Sequence, residues 1–228
     1  MTKEELKKHI NVIIEKTFET LEMVYNNREY KGPDEPKGFK KGGSRLVFPS
    51  YYKEGKATET RISEQELRFA FVESFNKYCD AANGPNLFYS IETPTKRKYT
   101  NFSNDKKPHE DENGRSAEFD LVIFNENGER KCLIEFKANN ANKHDHWKDF
   151  VKLNNSNEGG EDVLRYFIEI IKSYTEEGKK STIKSLQGKL EHNEGNLKAY
   201  FFCYALEGKC TRGNKNLSGD KNISNRFQ

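Results

Sequence analysis

The sequence predicts an α/β fold: a mixed sheet flanked by helices, with a further helix at the N-terminus. Three observations predict it. Segments with apolar residues three and four apart alternate with short runs rich in Val, Ile, Phe and Tyr. Asn127-Gly128 stands between two such runs, the strongest short-range signal for a two-residue hairpin turn of type I′. The 228 residues include 16 Phe and 11 Tyr, so a substantial core is feasible although only 33% of the chain is hydrophobic.

Taken in order, residues 2–27 predict a long amphipathic helix. Thr2 and Glu5 have capping-box spacing, and Leu6, Ile10, Ile13, Ile14, Phe18, Leu21 and Val24 form one stripe, expected to pack on the core. The Gly/Pro-rich stretch KGPDEPKGFKKGG and the short RLVFPSYY follow. A second helix opens at Ser63 and runs to about Tyr78, with Leu67, Phe71, Phe75 and Tyr78 inward. LFYSIET reads as a strand, residues 94–115 as a polar loop, and residues 118–137 as the hairpin. A short helix around HWKDFVKL, with Trp147, Phe150 and Val151 on one face, and a longer helix, EDVLRYFIEIIKSY, come next. LKAYFFCYAL, residues 197–206, reads as a buried strand, and residues 207–228 as a loose, mildly basic tail. The expected organisation is an N-terminal helix and loop over 1–62, a core over 63–206 and the tail.

Composition narrows the function classes. Mean hydropathy is −1.00. No apolar run approaches the roughly 20 residues that cross a bilayer, and MTKEELKKHI lacks a secretory h-region, so a cytoplasmic protein is expected. Cys79, Cys132, Cys203 and Cys210 have no Cys-x-x-Cys spacing and read as small hydrophobes in a reducing compartment. A formal charge of +3 identifies no nucleic-acid partner. Residues 28–58, however, mix Lys and Arg with Phe39, Phe48, Tyr51 and Tyr52, which suits a loop gripping a phosphate backbone as well as an ordinary solvated loop.

The hairpin carries the chemistry. A two-residue turn opposes Phe124 to Lys131, Val122 to Leu133, Asp120 to Glu135 and Glu118 to Lys137. Facing carboxylates at the ends of apolar strands repel one another and raise at least one pKa unless a cation lies nearby. A divalent ion supplies that cation, and hard ions such as Mg²⁺ are held by one or two carboxylates plus water and substrate phosphate. Alternation puts Glu135 and Lys137 on one face and Phe136 on the other. Glu118 reads as the cross-strand ion partner of Lys137.

The element order, together with Asp120, Glu135, Phe136 and Lys137, resembles the PD-(D/E)xK nuclease superfamily over about residues 63–206. That resemblance implies a restriction-endonuclease-like αβββαβ core. Phe119 stands where the superfamily's name has proline. It further implies that Asp120, Glu135 and the backbone carbonyl of Phe136 hold Mg²⁺ or Mn²⁺. Lys137 would then orient or activate the attacking water during phosphodiester hydrolysis, with DNA the expected substrate. A glutamate from the first core helix often joins such sites, and here Glu66 is the candidate, with Glu73 its substitute. Ser63 and Glu66 also have capping-box spacing, so Glu66 equally suits a helix cap. A non-cleaving, nuclease-like subunit that binds nucleic acid or protein is the alternative, and a homodimer or larger complex is open to either. His144, Asp145 and His146 invite a zinc site, but neighbours on a helix do not face one another and no third ligand is evident. Lys148 and Lys152, in the same segment, could touch the nucleic-acid backbone.

Overall fold

The computed structural model describes residues 1–26, 37–38, 44–101, 108–138, 143–173 and 200–207. It is a mixed α/β structure. In chain order come α1 (Lys3–Asn26), β1 (Lys37–Gly38), β2 (Val47–Phe48), β3 (Ser50–Lys53), β4 (Lys56–Thr60), α2 (Glu64–Cys79), β5 (Leu87–Thr100), β6 (His109–Glu110), β7 (Arg115–Asn125), β8 (Arg130–Ala138), α3 (Lys143–Leu153), β9 (Leu164–Ser173) and β10 (Tyr200–Glu207). One six-stranded sheet has the order β10-β9-β8-β7-β5-β6. The pairs β10/β9 and β9/β8 are parallel, and the others are antiparallel.

Helix α1 follows its sequence pattern. Thr2 Oγ1 accepts the Glu5 N–H at 3.2 Å while Glu5 accepts the Thr2 N–H at 2.7 Å, closing the capping box. All seven stripe residues are buried in one cluster with Leu67, Ala70, Phe71 and Phe75 of α2 and Leu121, Ile134, Phe136 and Ile168 of the sheet. Alternation places Leu133, Glu135 and Phe167 on the opposite face, where α3 packs. There the rings of Phe150 and Phe167 lie 4.9 Å apart.

Four local expectations are corrected. The segment expected to be a long helix, EDVLRYFIEIIKSY, is strand β9. Every residue from Val163 to Ile170 is buried, and a strand between two parallel neighbours reads as a continuous apolar run that periodicity cannot separate from a buried helix. Strand β5 continues through Thr100, so the polar loop expected over 94–115 is shorter. Pairing slips between Pro94 and Lys98, next to Glu92 at φ 47°. The Asn127-Gly128 turn is not type I′, because only Gly128, at φ 74°, is left-handed and the Asn125 N–H donates to the Glu129 carbonyl at 3.1 Å. Phe124 therefore pairs with Arg130 rather than Lys131. A shift at Lys131 then restores the expected pairs Ile123–Cys132 and Val122–Leu133. Finally, α3 buries His146, Asp149, Phe150, Lys152 and Leu153, whereas Trp147 and Val151 are only half-buried.

Of the basic, aromatic stretch, residues 28–36 and 39–43 lie outside the described residues, as does the tail from residue 208. Phe48 is buried against Tyr25, while Tyr51 and Tyr52 are exposed. Among the described residues, no helix is long and apolar enough to cross a membrane.

Candidate active site

The register delivers Asp120, Glu135 and Lys137 to neighbouring ends of β7 and β8. Leu121 pairs with Ile134, so Asp120 and Glu135 follow as the next residues on each strand. The Asp120 carboxylate is held on both oxygens: Oδ1 accepts from Arg68 Nη2 at 2.7 Å, and Oδ2 accepts the Phe136 N–H at 2.7 Å. In an extended strand the N–H and C=O of one residue leave on the same side, so the Phe136 carbonyl leaves β8 on the β7 side.

Glu135 is buried, 1% exposed, with Oε1 2.6 Å from Lys152 Nζ. Burial pushes its carboxyl well above the usual glutamate range. Lys152 opposes that rise, and the charges of Asp149 and Asp120 add to it. Lys137 does not meet Glu118, correcting the expected cross-strand pair. Its Nζ lies 2.9 Å from Asp149 Oδ2 and 3.3 Å from Glu64 Oε1. The Glu118 side chain is exposed, and its backbone carbonyl accepts from Lys152 Nζ at 2.7 Å. Burial disfavours the Lys137 ammonium, but Asp149 and Glu64 outweigh burial and the net shift is upward.

Helix α3 thus supplies two groups that sequence reasoning did not place in the site. Asp149 and Lys152, three residues apart on one helical face, contact each other at 3.3 Å. Burial raises the Asp149 pKa, but Lys152 and Lys137 win and hold it below the ordinary aspartate value. The available signal was the amphipathic pattern of HWKDFVKL, whose buried face contains charge rather than Trp147. Arg68 was also missed. It occupies the inward side of α2 among Leu67, Phe71 and Phe75, where the carboxylates of Asp120 at 2.7 Å and Glu92 at 3.0 Å balance its guanidinium.

Helix α2 contributes Glu64 rather than either expected glutamate. Glu66 accepts the Ser63 N–H at 2.9 Å and pairs with Arg61 at 2.6 Å, so it closes the helix as a cap. Glu73 turns to Ser44 and Lys77, away from the carboxylates. Glu64, at the first turn, sits beside Lys137, and burial raises its pKa, with Lys137 opposing and Asp120 and Asp149 reinforcing. In the zinc candidate, His146 is buried against Phe150 and Phe167 and lies 3.7 Å from Glu169, while the side chains of His144 and Asp145 lie outside the described residues.

An open groove of about 680 Å³ runs past this cluster. Asp120, Asp149 and Lys152 line one part of it, and Arg68, Arg115 and Lys148 add cationic groups. Glu92 and Glu118 line it as well, so the groove carries both signs of charge, with cationic groups that suit an anionic ligand set beside the carboxylates.

The donor set suits a hard divalent ion. The carboxylates of Asp120, Glu135 and Asp149, the carbonyl of Glu118 and the carbonyl side of Phe136 are all oxygen donors. The buried oxygens Glu135 Oε1 and Asp149 Oδ2 each face an ammonium, Lys152 at 2.6 Å and Lys137 at 2.9 Å. Among the described residues, no three His, Cys, Asp or Glu side chains form a ready-made metal cluster. The Lys152 ammonium stands between them instead. No family model, no curated protein and no solved structure matches this chain.

Proposed function

We propose that the chain is a metal-dependent nuclease of the PD-(D/E)xK type that hydrolyses phosphodiester bonds in DNA. The observation that carries this reading is the convergence of Asp120, Glu135 and Lys137 at the ends of two paired strands, beside a groove of mixed charge that Asp120 lines. The order α2, β5, β7, β8, α3, β9 supports it, being the αβββαβ succession that the resemblance implies, with β9 in the place given to residues 197–206. Asp120, Glu135 and the Phe136 carbonyl are the residues to hold Mg²⁺ or Mn²⁺. Such an ion, when bound, supplies a hydroxide near neutral pH and offsets charge growing on the phosphate.

The chain's own groups do the remaining work. Because Asp149 and Glu64 keep Lys137 protonated, it serves as a fixed positive charge that orients water and faces phosphate oxygens, and not as a general base. Arg68 and the Phe136 N–H fix the Asp120 carboxylate in one orientation. Arg115 and Lys148 in the groove suit contacts to backbone phosphates, which position a strand without reading its sequence.

Purified protein with Mg²⁺ or Mn²⁺ is expected to cut plasmid or linear DNA, and Asp120→Asn and Lys137→Gln are expected to abolish cutting. Cleavage that survives both substitutions sinks the assignment. A second reading, a non-cleaving subunit that binds nucleic acid, is favoured by one observation: Lys152 already balances the carboxylates without an ion. Calorimetry separates the two, because this second reading expects no Mn²⁺ binding even in the presence of oligonucleotide.

A further inference from the structure

The cation position of the site is filled by a side chain. Lys152 Nζ lies 2.6 Å from Glu135 Oε1, 2.7 Å from the Glu118 carbonyl and 3.3 Å from Asp149 Oδ1, and the residue is 6% exposed. Glu135 is one of the ligands assigned to the ion above, and the Glu118 carbonyl and Asp149 are further oxygen donors of the kind a hard divalent ion takes. Lys152 also lines the groove, so its flexible stem has a solvent-facing route out beside Arg68 and Lys148.

We propose that Lys152 is the resident counterion of this site: its ammonium holds the cation position in the metal-free protein, a divalent ion enters only by displacing it, and the displaced ammonium moves into the groove where a substrate phosphate would lie. The inference rests on the reading that the site takes a divalent ion, but it does not require that DNA be cut. Two cations that exclude each other from one set of ligands are linked, so whatever weakens one strengthens the other. The metal-free protein thereby avoids a buried cluster of unbalanced carboxylates.

The test uses Mn²⁺ alone with the full chain. Calorimetry on the wild type, Lys152→Met and Lys152→Arg is combined with acylation of lysines read by mass spectrometry, with Glu135→Gln as the control that the ion sits here. Expected are Mn²⁺ binding about tenfold tighter in Lys152→Met, within the usual range for coupled sites, and no tightening in Lys152→Arg. In the wild type, Lys152 is expected to be protected from acylation without Mn²⁺ and labelled with it, a readout that needs no variant to fold. Mn²⁺ binding lost in Glu135→Gln, with Lys152 still protected and Lys152→Met no tighter, overturns the counterion role and leaves the metal site standing. No Mn²⁺ binding by the wild type or Lys152→Met overturns both. Displacement without DNA cleavage upholds the inference and sinks only the nuclease reading.

Discussion

The backbone N–H of Phe136 donates to Asp120 Oδ2 at 2.7 Å, so a residue whose ring is buried on one face of the sheet fixes the acid of the neighbouring strand. The ring of Phe136 packs against Phe71 of α2, 5.5 Å between centroids, and three residues earlier on the helix Arg68 takes the other Asp120 oxygen. Core packing and acid placement therefore share one pair of elements.

Removing Asp120 leaves the Arg68 guanidinium, its side chain 9% exposed, with Glu92 as its remaining acidic partner. Asp120→Ala is expected to cost about 1–3 kcal/mol, the range for leaving a buried polar group unsatisfied. Arg68→Met in the same protein should recover part of that loss. Urea unfolding of the two single variants and the double variant checks it, and strictly additive losses would contradict the pairing.

Glu64 and Glu66 should behave oppositely although two residues apart. Glu66→Ala removes a capping-box partner and is expected to lower stability by about 1 kcal/mol while leaving turnover unchanged at permissive temperature. Glu64→Gln acts on Lys137 and is expected to slow cleavage about tenfold, 1.4 kcal/mol in the barrier, with little change in the melting temperature. Rates and thermal scans on both variants decide the matter, and the reverse pattern would restore Glu66 to the site.

The buried Asp149–Lys137 pair gives stability with two distinct pH edges. Asp149 is held below its ordinary value, so its contribution is complete above the unfolded aspartate pKa of about 3.9 and fades as pH falls through the lower folded value. Lys137 is shifted upward, so its contribution is complete below the unfolded lysine pKa of about 10.4 and fades only as pH rises beyond it. Denaturant midpoints should show a flat penalty for Asp149→Asn from pH 5 to pH 8 that shrinks below about pH 4. The Lys137→Met penalty should stay flat to about pH 10. A Lys137→Met penalty already shrinking at pH 8 would place the ammonium's folded pKa too low for the assigned role.

Glu158, fully buried, ties strand β5 to the turn after α3. It accepts the N–H groups of Lys96 at 2.7 Å and Arg97 at 2.9 Å and the Tyr99 hydroxyl at 2.8 Å, and burial with Glu158 beside it keeps that hydroxyl protonated. Glu158→Ala strands these donors and is expected to cost about 3–5 kcal/mol, as for breaking a buried charged network. Tyr99→Phe should cost about 1 kcal/mol. Chemical denaturation checks both, and a Glu158→Ala loss under 1 kcal/mol would show that water replaces the carboxylate.

The acids of the site were legible because they lie on a hairpin, where local turn chemistry and alternation determine which residues meet. Even there the turn type differs, and the shift at Lys131 restores the register from Ile123 inward. Glu64, Arg68, Asp149 and Lys152 were not legible as site residues, since each belongs to a helix whose distance from the hairpin no sequence spacing encodes. Glu66 drew attention through its spacing from Ser63, which has a wholly local use.

By itself the sequence determined the amphipathic helix α1, the start of α2, the hairpin and its two acids, because these depend on contacts within a few residues. Only tertiary structure decided that 164–173 is a strand, since burial between two parallel neighbours removes the periodicity that separates strand from helix. It also decided which charges meet: Lys137 with Asp149 rather than Glu118, and Lys152 with Glu135. The pairing of buried charges is set by the packing of α3 on the sheet, because a lysine removed from water takes whichever carboxylate the fold brings within reach.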